Sequence, residues 1–248
     1  MSAAKIAGST AIVTGAGRGF GRGIAAALIG AGARVVGLAR DGAALEKLHR
    51  ELGEGFVAVT GDATDEQLAD ELLTRYEPTA LVLNAGANPV MQPLRDHTWD
   101  TFRGNWEVDV RHVFTWVRLA LRHPLAPGSA VVSVSSGAAL RGSPLSGGYA
   151  GAKATVRLVS SYAAGESASL GLGVRFLSVL PMLSPATDLG ATGVAAYAAQ
   201  QGVTVEDFVG NMGPVLTPEK VGEEVLALIE DEQPHPSYLL TSGGADPV

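Results

Sequence analysis

The sequence predicts a doubly wound α/β fold, a parallel sheet of about seven strands with helices on both faces, built as one domain over residues 1–248. Three observations carry that prediction. Short aliphatic runs alternate with helix-like stretches along the whole chain. The runs are continuously apolar instead of alternating with polar residues, which marks strands buried on both faces. A glycine-rich turn joins the first run to an apolar helix. With 248 residues and 46% hydrophobic content the chain can bury a large core.

The strand-like runs are residues 11–14, 34–39, 56–60, 80–83, 130–135, 174–180 and 238–241. Between them, Ala44, Leu45, Leu48 and Leu52 repeat at helical spacing, as do Val221, Val225, Leu228 and Ile229. Thr217 followed by Pro218 reads as an N-cap with proline in the first helical position, so the last helix starts there. In such a sheet, ligands bind at the carboxyl ends of the strands.

Bulk properties narrow the function. The net charge of −7, with no basic cluster to offset it, argues against nucleic acid or an anionic membrane surface as partner. No apolar run approaches the ~20 residues that span a bilayer, and the first residues lack the apolar core of a secretion signal. The expectation is a cytoplasmic protein. The absence of cysteine removes thiolate catalysis and cysteine-based zinc sites. The five histidines, 49, 97, 112, 123 and 235, have no paired metal-binding spacing, so no metal site is expected.

Two patterns carry chemistry. The first is the turn Thr14-Gly15-Ala16-Gly17-Arg18-Gly19-Phe20-Gly21, which follows the first strand and opens a helix. Glycines there let backbone reach a pyrophosphate, and the helix start offers free N–H groups to it. The spacing Gly-x-x-x-Gly-x-Gly fits Gly15, Gly19 and Gly21, and, two residues later, Gly17, Gly21 and Gly23; the earlier register places Gly15 directly after the strand. The second pattern is Tyr149 and Lys153, four residues apart on one helix face, with Ser136 thirteen residues before the tyrosine at the end of a strand. Phenol, ammonium and hydroxyl together can move a proton to or from an alcohol oxygen.

Taken together, Thr-Gly-x-x-x-Gly-x-Gly at 14–21, Asn84-Ala85-Gly86 after the fourth strand, Ser136, and Tyr149-x-x-x-Lys153 resemble the short-chain dehydrogenase/reductase family over essentially the whole chain. The resemblance implies a Rossmann-type fold and an oxidoreductase that interconverts a carbonyl and an alcohol using a nicotinamide hydride carrier. It makes Tyr149 the general acid/base, Ser136 the holder of the substrate oxygen, and Lys153 the partner of the nicotinamide ribose. Ser135 is the rival hydroxyl, although the pleat turns it to the other side. Gly15, Arg18, Gly19, Phe20, Gly21, Asn84, Ala85 and Gly86 fall at cofactor positions. Asp62, followed by Ala63, resembles the residue beside the adenine; the other reading of Asp62 is a turn cap before Thr64 and Asp65. Relatives commonly form tetramers through the helices bearing residues 109 and 149, so a homo-oligomer, dimer or tetramer, is implied as well.

Cofactor choice is read at the end of the second strand, where an acidic residue would bind the ribose 2′-hydroxyl of NAD. Ala39 stands there, followed by Arg40, with Arg18 at the same corner; guanidinium groups suit a 2′-phosphate. The expectation is NADP(H), against the reading in which both arginines are solvated and Asp41 serves NAD. The chain also departs from its relatives. Many have asparagine 27 residues before the serine, where this chain has Asp109, a carboxylate that calls for a neighbour such as Lys153. Relatives have Pro-Gly where Pro181-Met182 stands, and Met182 is expected near the nicotinamide end. The threonine that contacts the carboxamide is one residue out of register at Thr187, with Ser184 as the other candidate. Residues 141–148 and 184–212 are expected to shape the pocket for a small carbonyl or alcohol. The alternative function is a cofactor-binding regulatory or structural protein with little turnover.

Overall fold

The computed structural model describes residues 6–123 and 125–248. Strands β1 (Thr10–Thr14), β2 (Arg34–Ala39), β3 (Phe56–Thr60), β4 (Ala80–Leu83), β5 (Ala130–Val134), β6 (Arg175–Pro181) and β7 (Ser237–Thr241) form one sheet in the order 3-2-1-4-5-6-7. These seven are parallel, as expected from their continuous apolar runs, and strands β1, β4 and β5 are buried almost throughout. An eighth strand, β8 (Gly244–Pro247), was not legible in the sequence; it runs antiparallel along β7 and closes that edge.

The pleat sends alternate residues of each strand to two separate cores. Ala11 and Val13 of β1, Ala80 and Val82 of β4, and Val132 of β5 face one side, where α1 (Gly19–Gly30), α2 (Gly42–Leu52) and α10 (Pro218–Glu230) supply Ile24, Leu28, Leu45, Leu48, Val221, Val225 and Ile229. Ile12, Leu81, Leu83 and Val131 face the other, against Leu72 of α3 (Glu66–Tyr76), Trp116 of α5 (Arg111–Arg122) and Val156 of α7 (Tyr149–Leu170). Both helical repeats seen in the sequence therefore bury their apolar stripe on the first side. Thr217 caps α10 as expected, accepting from Lys220 N at 3.2 Å.

Helices α1 and α10 touch backbone to backbone. A Cβ added at Gly23 would lie 2.0 Å from Pro218 O, and one at Gly222 would lie 2.4 Å from Gly23 O. Short helices α4 (Trp99–Asn105) and α6 (Ala138–Arg141), a 3-10 turn over Leu94–Asp96, a π-helical turn over Trp106–Val110, and the helices α8 (Asp188–Gln201) and α9 (Val205–Met212) complete the elements of the described residues. No helix among the described residues is long and apolar enough to cross a membrane.

Candidate active site

The carboxyl ends of β1, β4, β5 and β6 converge on a cavity of about 480 Å³. Its wall includes Gly15, Arg18, Gly19 and Phe20 from the glycine turn, Asn84, Ala85 and Gly86 after β4, and Ser136, Tyr149, Lys153 and Asp109 from the predicted catalytic set. Pro181, Met182, Ser184 and Thr187 also line it. Gly21, Arg40, Asp62 and Ala63 lie outside that wall.

The glycine turn has the conformation its sequence requires. Gly15 and Gly19 adopt φ of +67° and +53°, which side-chain-bearing residues rarely hold. Gly21 lies beneath the turn, where a Cβ would meet Gly15 O at 2.2 Å, while Gly23 faces α10. Gly15 and Gly21 thus pack on each other within the turn, while Gly23 belongs to the contact between helices. Helix α1 starts at this turn with no side-chain cap, whereas Asp41, Asp65, Thr187, Thr204 and Thr217 cap α2, α3, α8, α9 and α10. Unspent N–H groups at a glycine turn lining a cavity suit a pyrophosphate.

Behind the turn stands a buried polar hub. Thr14 Oγ1 accepts from Asn84 N at 2.9 Å and Ala85 N at 3.1 Å, and Asn84 Nδ2 donates to the carbonyls of Thr14 and Gly15 at 3.1 and 3.2 Å. Thr14 Oγ1 also donates to Val82 O at 3.4 Å and lies within hydrogen-bond distance of His112 Nε2, at 3.1 Å. His112 is fully buried; burial first, and the Lys153 charge second, push its pKa down to about 3, so the ring is neutral. The sequence gives no sign of this partner, because the two are 98 residues apart.

In the predicted catalytic group, Ser136 Oγ accepts from Ala138 N at 3.2 Å, which leaves its own hydrogen free to donate into the cavity. Ser135 spends its hydroxyl on the Lys153 carbonyl at 2.7 Å and so supports the helix. Tyr149 is the first residue of α7 and is partly buried; Lys153, one turn later, lies with Nζ 5.7 Å from the Tyr149 ring centroid. Lys153 Nζ donates to Val134 O at 3.1 Å and pairs with Asp109 Oδ2 at 3.2 Å. Burial works to lower the Lys153 pKa, but Asp109 and then Tyr149 outweigh it and hold the ammonium above the ordinary lysine value.

Other side chains are committed to local structure. Asp62 Oδ1 accepts from the backbone N and the hydroxyl of Thr64, both at 2.9 Å. The Thr64 backbone bond is the main cause of its lowered pKa, with Arg40 adding to it against the effect of burial. The Ala63 carbonyl accepts from Trp116 Nε1 at 2.8 Å. Thr187 Oγ1 caps α8 through Gly190 N, and Ser184 Oγ is held between Leu216 O and Ala186 N. Met182 lies over the serine turn, with Sδ 2.8 Å from where a Cβ on Gly137 would be. Asn88 and Leu189 also line the cavity, and a hydrogen bond between Ser143 and Tyr197 joins the two predicted substrate segments across it.

A family model described as short chain dehydrogenase matches residues 9–201. The chain belongs to the short-chain dehydrogenase family. It is 29% identical over 247 residues to an L-xylulose reductase of Bos taurus, covering 98% of this chain and 96% of that one. It is 30% identical to an L-fucose dehydrogenase of Oryctolagus cuniculus, over 93% of this chain and 82% of that one. A crystal structure of 3-ketoacyl-(acyl-carrier-protein) reductase from Brucella melitensis complexed with NADH superposes with a TM-score of 0.77 at 25% identity, over 95% of this chain and 96% of that one. As a short-chain dehydrogenase the protein is an oxidoreductase acting between CH–OH and C=O groups of a small molecule with a nicotinamide cofactor, on a Rossmann-type fold. The uncapped helix start and the positive-φ glycines fit that cofactor.

Proposed function

We propose that this short-chain dehydrogenase is an NADP(H)-dependent reductase of a small hydroxylated ketone or aldehyde, with Tyr149 as general acid/base. The observation that carries the reading is the meeting of Ser136, Tyr149 and Lys153 in one cavity, with the Ser136 hydrogen unspent. A bound nicotinamide gives its hydride in reduction and takes one back in oxidation. Ser136 orients the substrate oxygen, Tyr149 exchanges the proton with it, and Lys153 steadies the phenol and faces the ribose. The names of the relatives, with a D-erythrulose reductase of Gallus gallus beside the xylulose and fucose enzymes, favour a sugar-like substrate. Asn88, Ser143 and Tyr197 offer polar groups for its hydroxyls.

NADP(H) is favoured by Arg40, which is exposed at the end of β2 and makes no salt bridge among the described residues. Asp41, the residue that would serve NAD, is engaged as the cap of α2 through Ala44 N at 3.0 Å. Arg18 pairs with Asp188 at 3.0 Å, but both side chains are 70% exposed. Such a pair stabilises by ~0–1 kcal/mol and yields easily to a phosphate. Exposed Leu158 and Tyr162 on α7, with Phe114 on α5, support a homo-oligomer, and the lack of cysteine accords with a cytoplasmic setting. Residues 1–248 act as one domain in this reading.

The Asp109–Lys153 pair motivates one rival, a cofactor-binding protein with little turnover. Turnover of a ketose panel with NADPH, run beside Tyr149→Phe, separates the two. The enzyme reading expects Tyr149→Phe to cut kcat at least about 10²-fold while cofactor still binds. Tight cofactor binding without hydride transfer in the unaltered protein would establish the rival.

A further inference from the structure

The charged side chains that line the cavity are Arg18, Asp109, Arg141, Lys153 and Asp188. Four of them pair off, Lys153 with Asp109 at 3.2 Å and Arg18 with Asp188 at 3.0 Å. Arg141 is left over. Its side chain has no hydrogen bond, ion pair or ring contact among the described residues, on a chain where acidic residues outnumber basic ones by 25 to 18. The cavity therefore carries an uncompensated positive charge, and that charge belongs to one residue.

The fold puts this residue at the substrate end. Arg141 closes α6, the short helix that starts two residues after Ser136. Strand β5, which delivers both, lies two places from β1 in the sheet. At about 4.8 Å per strand, the end of β5 is on the order of 10 Å from the glycine turn. A cation at a helix end can serve the last carbonyls. Here Gly142 N already donates to Ala138 O at 2.8 Å, and the guanidinium bonds to none of them. Ser143, two residues on, shares its hydroxyl with Tyr197 of α8, so the wall beside Arg141 offers neutral polar groups. A guanidinium presents a planar fork of donors that a carboxylate or a phosphate fills with two parallel hydrogen bonds, which a neutral hydroxyl does not do. We propose that Arg141 is a specificity-determining residue that selects an anionic substrate, a sugar-type ketone or aldehyde bearing a carboxylate or a phosphate. The proposal rests on the reading of this cavity as the site of a hydroxylated carbonyl compound, and names its charge.

The test uses the full chain and three ketoses that differ only at C6: fructose, fructose 6-phosphate and fructuronate. Initial rates with NADPH give kcat/KM for each, and calorimetric titration of the NADP+-bound protein, which cannot reduce them, gives affinity. The unaltered protein should favour at least one anionic ketose over fructose by about tenfold in both readouts, the size of one charge-assisted contact at an exposed position. Its choice between phosphate and carboxylate identifies the source of the anion. Arg141 is exposed, so its variants should fold. Arg141→Gln should bring the ratio of anionic to neutral ketose down to about unity, and Arg141→Lys, which keeps the charge without the fork, should retain part of it. Equal affinity for the three ketoses, no affinity for any of them, or a preference that survives in Arg141→Gln would overturn the proposal. A rise in KM for NADPH that accounts for the lost rate of Arg141→Gln would also overturn it, by giving the residue to the cofactor. Anion-selective binding without turnover of any ketose would remove the reductase reading and leave the role of Arg141 standing.

Discussion

The buried His112 makes a quantitative statement about acid stability. Its ring is hydrogen-bonded to Thr14 at 3.1 Å and is neutral, with a pKa held down to about 3 from an ordinary 6.5, by burial first and by Lys153 second. The unfolded chain binds a proton there below pH 6.5, while the folded chain resists until about pH 3. The stabilisation from the depressed value is therefore fully present above pH 6.5 and is lost as the pH falls between those values. At about 1.4 kcal/mol per pH unit, the loss from this one group is about 2 kcal/mol between pH 7 and pH 5 and about 3 kcal/mol by pH 4. The side chain is 0% exposed, so solvent screening does not reduce the figure. Urea unfolding at pH 7 and pH 5 measures it, with His112→Gln as the control: an amide offers both a donor and an acceptor to Thr14 but does not titrate. The unaltered protein should lose about 2 kcal/mol more than His112→Gln over that interval, the carboxylates common to both cancelling. Equal losses in the two proteins would refute the reasoning.

Other expectations follow from the same structure. Arg40→Ala should abolish most of the preference for NADP(H) over NAD(H) in kcat/KM, and an unaltered enzyme that prefers NAD(H) would sink the cofactor reading. Gly23→Ala places a Cβ 2.0 Å from Pro218 O. Alanine's better helix propensity returns about 1 kcal/mol, but the clash costs about 3 kcal/mol, so calorimetry should show a lower Tm. Gly30→Ala, at a position with nothing within 4 Å, should leave Tm unchanged or slightly raised. Tyr197→Phe removes the bond to Ser143 and should raise KM for the carbonyl substrate more than it lowers kcat, measured by steady-state kinetics.

The seven parallel strands were legible because each is built around an apolar run, a pattern that burial on both faces imposes most fully in β1, β4 and β5. Strand β8 was not, because Gly244, Ala245, Asp246 and Pro247 carry no β propensity of their own and pair only where β7 offers its edge. At the site, Ser136, Tyr149 and Lys153 were singled out by the family resemblance that their spacing carries together with the glycine turn, and a partner for Asp109 could be anticipated from the cost of burying a carboxylate. What spacing could not supply was contact across the sheet. The Thr14–His112 bond and the Ser143–Tyr197 bridge join residues 98 and 54 positions apart. Asn88, four residues after Asn84, carries no mark in sequence that sets it apart from an ordinary loop asparagine.

The family match ends at residue 201, yet the helix that carries the glycine turn rests on α10, which begins at Pro218. At Gly23 and Gly222 that contact is backbone on backbone, with no side chain to rearrange between them. The part of the chain outside the shared family segment thus acts as a buttress for the part that defines it. A chimera spliced near residue 201 would carry every motif residue and still inherit its turn geometry from whichever parent supplied the buttress, so cofactor affinity in such hybrids should follow the donor of residues 218–230.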